Sequence, residues 1–181
     1  MQAIINACKL NEISAEVAVV ISDQPNAKGV EIAKQQGITT FTLDVKSFAS
    51  KKEYEQDIVR ILKGCSVDLV CLAGYMRVVG VDLLKAFQDK IINIHPSLLP
   101  SFKGLNAQKQ ALDCGVKYTG CTVHYVSSII DSGPIIEQAV VEVKPADTVE
   151  QLSKRILIQE HRIYPLAIQY IIKTMLVKKG T

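Results

Sequence analysis

No CxxC pair occurs in this chain, and its five cysteines (Cys8, Cys65, Cys71, Cys114 and Cys121) are odd in number and scattered. That spacing supports neither a disulfide framework nor a zinc site. Cys71 and Cys121 fall within apolar runs and read as small core hydrophobes, a usage suited to a reducing cytoplasm. No apolar run approaches the roughly 20 residues needed to span a bilayer. The opening Met1-Gln-Ala-Ile-Ile-Asn6 lacks the basic start of a secretory leader. No excess of either sign of charge is large, with 21 Lys and Arg against 18 Asp and Glu. The net charge is +3, part of it at Lys173, Lys178 and Lys179. This reads as a solvated C-terminal tail rather than a surface for nucleic acid or acidic lipid. Internal repeats, low-complexity stretches and interdomain linkers are missing, so residues 1–181 are expected to form one cytoplasmic domain without a membrane or nucleic-acid partner.

What is present is an alternation of short apolar runs with amphipathic segments, the pattern of an α/β fold. Residues 17–21, 41–43, 67–73 and 91–94 read as strands, and 2–10, 27–36 and 50–62 as helices. The near-continuous apolar character of 67–73 suits a parallel strand covered on both faces. Ser50-x-x-Glu53 has the form of a capping box, with Gly64 as the stop of that helix. Residues 121–126 and 135–143 are strands joined by a connection too short for a parallel crossover, so they should pair antiparallel. A long helix is expected from Thr148 to about Lys173, opened by Thr148-x-x-Gln151. Its apolar stripe would be Leu152, Ile156, Ile163, Leu166 and Tyr170, and Pro165 should kink or divide it. The fold class expected is a mostly parallel, helix-flanked sheet with an antiparallel strand excursion near its C-terminal side.

The densest signal is Ile91-Ile-Asn-Ile-His-Pro-Ser-Leu-Leu-Pro100. Residues at i and i+2 of a strand point to one face, so Asn93 and His95 should stand side by side at a strand's C-terminal end, the edge where open α/β sheets bind ligands. An amide donor beside an imidazole can stabilise an oxyanion and handle a proton. Asp131, in Asp131-Ser-Gly-Pro134, would supply a carboxylate if the loops meet, which spacing alone does not establish. Each residue also has a plainer reading: Asn93 satisfying loop backbone, His95 hydrogen-bonded in the core, and Asp131-Ser-Gly133 as an ordinary turn.

Several segments carry a resemblance. Leu72-Ala-Gly-Tyr-Met-Arg77, Asn93-Ile-His-Pro-Ser-Leu-Leu-Pro100, Gly120-Cys-Thr-Val-His-Tyr-Val126 and Ile130-Asp-Ser-Gly133 are similar to the folate-dependent formyltransferases. Gln2-Ala-Ile-Ile-Asn-Ala-Cys8, Phe102-Lys-Gly-Leu-Asn-Ala-Gln-Lys-Gln-Ala111 and Gln159-Glu-His-Arg-Ile-Tyr-Pro165 resemble the branch acting on glycinamide ribonucleotide (GAR), over nearly the whole chain. The resemblance implies a Rossmann-like fold and formyl transfer from 10-formyltetrahydrofolate, as cosubstrate, to the GAR amine in purine biosynthesis. It implies Asn93, His95 and Asp131 as catalytic residues, with Asp131 favouring the cationic form of His95. It places folate at Lys51, Met76, Arg77, Val78, Val79, Asn93, Ser127, Ser128, Ile129, Ile130 and Asp131, and GAR at Leu157, Ile158, Gln159 and Glu160. Small molecules are the implied partners, with no metal, and a monomer or weak dimer is expected. His124 matches a family position and reads equally well as a packed strand residue; His161 reads as structural.

The chain departs from that family at three points. Lys51 stands where an Arg is usual and gives up bidentate geometry. Ser128 replaces an acidic or apolar residue. The family's first strand and Gly-rich phosphate loop have no counterpart, since Gln2 already opens the helix that follows them and Gly29, Gly37 and Gly64 are isolated. An N-terminally truncated formyltransferase domain is therefore expected, with neighbouring strands left unpaired. Three other readings stay open: methionyl-tRNA formyltransferase chemistry, formyltetrahydrofolate hydrolysis, or a non-catalytic folate-binding fragment.

Overall fold

The computed structural model describes residues 1–179. The side chains of residues 177–179 lie outside that description, and with them the tail reading of Lys178 and Lys179. Strand β1 (Val20–Ser22) pairs in parallel with β2 (Thr40–Thr42). A four-stranded sheet runs in the order β3 (Val70–Leu72), β4 (Ile91–His95), β5 (Tyr118–Tyr125) and β6 (Ile135–Glu142). The β3–β4 pair is parallel, while β4–β5 and β5–β6 are antiparallel. This is the helix-flanked α/β arrangement expected, with its antiparallel excursion on the C-terminal side. Among the described residues, β1 and β3 each carry a ladder on one edge only.

Among the described residues six α-helices cover the strands: α1 (Gln2–Lys9), α2 (Lys28–Gln35), α3 (Lys51–Gly64), α4 (Val81–Ala86), α5 (Ala107–Cys114) and α6 (Val149–Lys179). Because strand side chains alternate faces, β4 feeds two cores. Ile92 packs with Cys121, Val123, Leu152, Ile156 and Ile163 beneath α6 and α1. Ile91 packs on the other face with Tyr54, Ile58, Leu62, Leu83 and Phe87 of α3, α4 and the α4 C-cap. Tyr164 stitches the two layers together: its hydroxyl lies 2.8 Å from the Leu72 carbonyl and 3.2 Å from that of Ile92.

The Thr148 capping box closes in both directions, whereas at Ser50 the Glu53 carboxylate reaches back to the Ala49 N–H at 3.3 Å. Ser50 Oγ accepts from Glu53 N–H at 3.2 Å, and Thr148 and Gln151 bond each other's backbone N–H through their side chains. Three expectations need correction. Gly64 is the last helical residue of α3 rather than its stop; Ser66 takes the left-handed position, at φ 54°. Ser66 and Val67 N–H then bond the Lys63 and Leu62 carbonyls, a Schellman closure. Pro165 is buried within a helix that it does not divide. Leu166 and Tyr170 are exposed; the buried face continues from Ile163 and Tyr164 to Ala167, Ile168 and Ile171, one position away, as the 3.6-residue period requires.

Candidate active site

Asn93 and His95 project from the C-terminal half of β4 on the face shared with Ile91, and the antiparallel register sets Asn93 opposite His124 and His95 opposite Thr122. A register shift between Val123 and His124 bends β5 here, the usual effect of a bulge beside a site. The His124 Nδ1 donates to the Tyr125 carbonyl at 2.9 Å, which leaves Nε2 bare. Burial pushes the His124 pKa down, favouring this neutral form. The Asn93 side chain can then present only its NH₂ group, donating to His124 Nε2 at 3.4 Å. Its second N–H stays available to a ligand.

His95 is buried. Its Nε2 faces the Phe102 carbonyl at 2.9 Å, and since a carbonyl only accepts, the proton sits on that nitrogen. Nδ1 lies 3.4 Å from Asp131 Oδ2. The other carboxylate oxygen lies 3.7 Å from His124 Nε2, so Asp131 stands between two imidazoles. It is anchored by the Gly104 N–H at 2.8 Å, and its neighbour Ser132 accepts from Lys103 Nζ at 2.5 Å. The three residues singled out from the sequence thus converge, although 36 positions separate His95 from Asp131 along the chain.

Backbone conformation makes this convergence possible. Phe102 and Asp131 both adopt left-handed φ, 54° and 48°, a region costly for residues with a Cβ. The segment before Phe102 is woven onto the sheet. Thr122 Oγ1 accepts from Leu99 N–H at 3.0 Å and donates to the Ser97 carbonyl at 2.7 Å. Gln138 joins the same hydroxyl at 2.9 Å. Gly133 is required for approach: a Cβ there would lie 1.7 Å from the Tyr125 carbonyl oxygen. Sequence reasoning missed Phe102, Gly104, Thr122 and Gln138. The first two act through backbone atoms, and only the polar Thr122 inside an apolar strand offered a signal.

Two loops carry exposed apolar side chains at the strand ends: Met76 and Val78 after β3, and Ile129 and Ile130 before Asp131. Ser127 shapes the second loop by bonding the Ile129 N–H and carbonyl, and Ser128 is exposed beside it. Arg77 reaches Asp23 at 3.4 Å. Val79 differs from its companions: it is buried in the α3–α4 core, so only its backbone can meet a ligand. Lys51 is more than half exposed and pairs with Glu55 at 3.7 Å.

A second cleft of about 270 Å³ opens beside β3 and β4, lined by Gly74, Ile94, Leu157, Glu160, His161 and Tyr164 among others. Burial raises the Glu160 pKa. Leu157 and Glu160 therefore reach this cleft. Ile158 is exposed away from it, and Gln159 accepts from Arg162 on the helix surface. His161 lies at the cleft's exposed rim instead of serving the interior. Among the described residues no group of three or more His, Cys, Asp or Glu is placed to hold a metal ion, and no helix is long and apolar enough to cross a membrane.

Residues 1–168 match the protein family described as formyl transferase. Phosphoribosylglycinamide formyltransferase of Bacillus subtilis (strain 168) is 43% identical over 171 residues, covering 94% of this chain and 88% of that protein. The trifunctional purine biosynthetic protein adenosine-3 of Gallus gallus is 45% identical over 94% of this chain, which spans only 17% of that protein's length. Among solved structures, glycinamide ribonucleotide transformylase 1 from Symbiobacterium toebii shares 50% identity at a TM-score of 0.94, over 96% of this chain and 82% of that one. A formyltetrahydrofolate deformylase from Pseudomonas syringae is more distant, at 31% identity and a TM-score of 0.78, over 84% of this chain and 50% of that one. With this Rossmann-like α/β fold and this relationship, the chain belongs to the formyl transferase family, and within it to the phosphoribosylglycinamide formyltransferases.

Proposed function

We propose that the chain transfers the formyl group of 10-formyltetrahydrofolate to the primary amine of GAR in purine biosynthesis. The observation carrying this reading is the convergence of the Asn93 amide, the His95 imidazole and the Asp131 carboxylate between two exposed apolar loops. In the reaction, the amine forms a bond to the formyl carbon, the formyl oxygen gathers negative charge, and the bond to the folate nitrogen breaks. The free N–H of Asn93 stabilises that charge. The His95 ring, with Nδ1 toward Asp131 at 3.4 Å, is the second polar group assigned to that charge. Asp131 also takes up, through water, the proton shed by the attacking amine. The proton returned to the departing folate nitrogen balances the step.

The folate cosubstrate is assigned to the walls made by Met76, Arg77, Val78, Val79 and by Ser127, Ser128, Ile129, Ile130 and Asp131, with Asn93 at its reacting end. The fit is chemical: exposed apolar side chains cover a flat ring system, and loop backbone reads its polar edge. Lys51 is assigned to an acidic tail of the same molecule. GAR is assigned to the neighbouring cleft, where Glu160 accepts from ribose hydroxyls and Leu157 packs beside it; Ile158 and Gln159, on the helix surface, stay outside it. The protein is proposed to be cytoplasmic, to need no metal, to act on small molecules alone and to be a monomer or weak dimer.

The test is to incubate the purified chain with 10-formyltetrahydrofolate and GAR and to follow formyl-GAR by mass. Product is expected, and His95→Ala should abolish it. Formate released without GAR would instead support hydrolysis, the activity named for the Pseudomonas relative. Absence of both products would overturn the proposal.

A further inference from the structure

Glu55 is one of the few charged residues withdrawn from solvent, at 2% exposure. It lies on α3, behind the proposed folate wall, and is not itself among the residues assigned to either substrate. Its Oε1 accepts the Gly80 N–H at 2.7 Å, and Lys51 Nζ approaches the same oxygen at 3.7 Å. Gly80 is the residue before α4 and ends the segment that carries Met76, Arg77, Val78 and Val79. A Cβ on Gly80 would lie 2.0 Å from Glu55 Oε2 and 2.8 Å from Oε1, so a side chain there has to displace the carboxylate.

The segment is held at few places. Gly74 turns the chain out of β3 at φ 77°. Arg77 reaches Asp23 across a partly exposed ion pair, a kind of contact that holds weakly. Val79 plugs into the core beneath. The Glu55–Gly80 bond is the one charge-assisted, solvent-excluded anchor among these contacts, and such bonds are roughly twice as strong as neutral ones. Burying a carboxylate is costly without compensation. A carboxylate spent on one backbone N–H of a loop points to a loop whose position matters.

We infer that Glu55 is a positioning residue for the cosubstrate: by fixing Gly80 it sets the height of the Met76–Val79 wall against which the folate ring packs. This inference rests on the formyl-transfer reading given above. The experiment compares the 181-residue chain with its Glu55→Ala, Glu55→Gln and Gly80→Ala variants. Glu55→Ala should raise KM for 10-formyltetrahydrofolate about tenfold, the scale of one lost charge-assisted bond, with kcat within about twofold and KM for GAR unmoved. Glu55→Gln keeps an oxygen for the Gly80 N–H and should restore most of the loss. Gly80→Ala attacks the same contact from its other side and serves if Glu55→Ala does not fold. Amide hydrogen exchange of residues 74–80 reads the anchor without turnover, and should accelerate in Glu55→Ala and not in Glu55→Gln. Transfer by the wild-type chain with an unchanged folate KM in Glu55→Ala would overturn the inference and leave the function standing. A wild-type chain that transfers nothing removes the function instead, and unchanged exchange of 74–80 would then overturn the anchor as well.

Discussion

The bare Nε2 of His124 faces the Asn93 amide at 3.4 Å across the β4–β5 ladder, while its Nδ1 is committed to the Tyr125 carbonyl. The histidine thereby decides which end of the asparagine amide points outward. His124→Ala should lower kcat about ten- to a hundredfold, because an unoriented amide loses part of an oxyanion contact worth that much or more. Circular dichroism should stay that of the wild type. An unchanged kcat in a folded variant would remove His124 from the alignment.

Acid should act through the same residue. Burial holds the folded His124 pKa below that of the unfolded chain. The unfolded state therefore binds more protons between the two values, and stability rises with pH across that window. The stabilisation is complete above the ordinary histidine range near pH 6.5 and is lost as pH falls through the depressed folded value. Thermal unfolding between pH 7.5 and about 5 should show a steeper decline for the wild type than for His124→Gln. Parallel curves would assign the acid sensitivity elsewhere.

Asn93→Ala, His95→Ala and Asp131→Ala should each cost about a hundredfold or more in kcat/KM. Combining His95→Ala with Asp131→Ala should cost little beyond the worse single change, since the pair 3.4 Å apart acts as one unit. Strict additivity in that double-mutant cycle would show that the carboxylate does not work through the imidazole.

Thr122→Val replaces a hydroxyl by a methyl of similar size and leaves the Leu99 N–H, the Ser97 carbonyl and the Gln138 amide short of a partner. The expected loss is about 1–3 kcal/mol in denaturant unfolding. Because this hydroxyl holds the loop that brings Phe102 to His95, kcat should also fall while the fold persists. Unfolding within experimental error of wild type would place those partners on water.

Gly133→Ala should abolish most activity, since Cβ would collide with the Tyr125 carbonyl oxygen at 1.7 Å. The read-out is transfer rate alongside near-ultraviolet circular dichroism. Full activity would mean that the Asp131 loop can be rebuilt without that close approach.

How far this was legible from residues alone depended on the range of the interaction. The shared face of Asn93 and His95 follows from a two-residue period, and both capping boxes follow from three-residue spacings, so each was readable locally. The meeting of Asn93, His95 and Asp131 was readable only through resemblance, because no spacing brings Asp131 across 36 positions to His95. The turn reading of Asp131-Ser-Gly133 gave no sign that Gly133 is held by close approach to the Tyr125 carbonyl of β5, a contact that local spacing does not reveal. Leu166 and Tyr170 were misplaced because apolar character does not say which of two adjacent helical rows faces the sheet. Backbone partners such as the Phe102 carbonyl leave no trace in side-chain identity.

Among the described residues, strand β4 is bounded by ladders on both edges, whereas β1 and β3 are bounded on one. Local opening begins where protection is least. A partial unfolding that starts at the free edge of β3 would carry away the loop of Met76 and Val78 while β4 still held Asn93 and His95 against β5. Under mild denaturant such a molecule would lose its grip on a ligand before it lost the arrangement of its reacting groups, and binding would be the earlier alarm of damage than the far-ultraviolet spectrum.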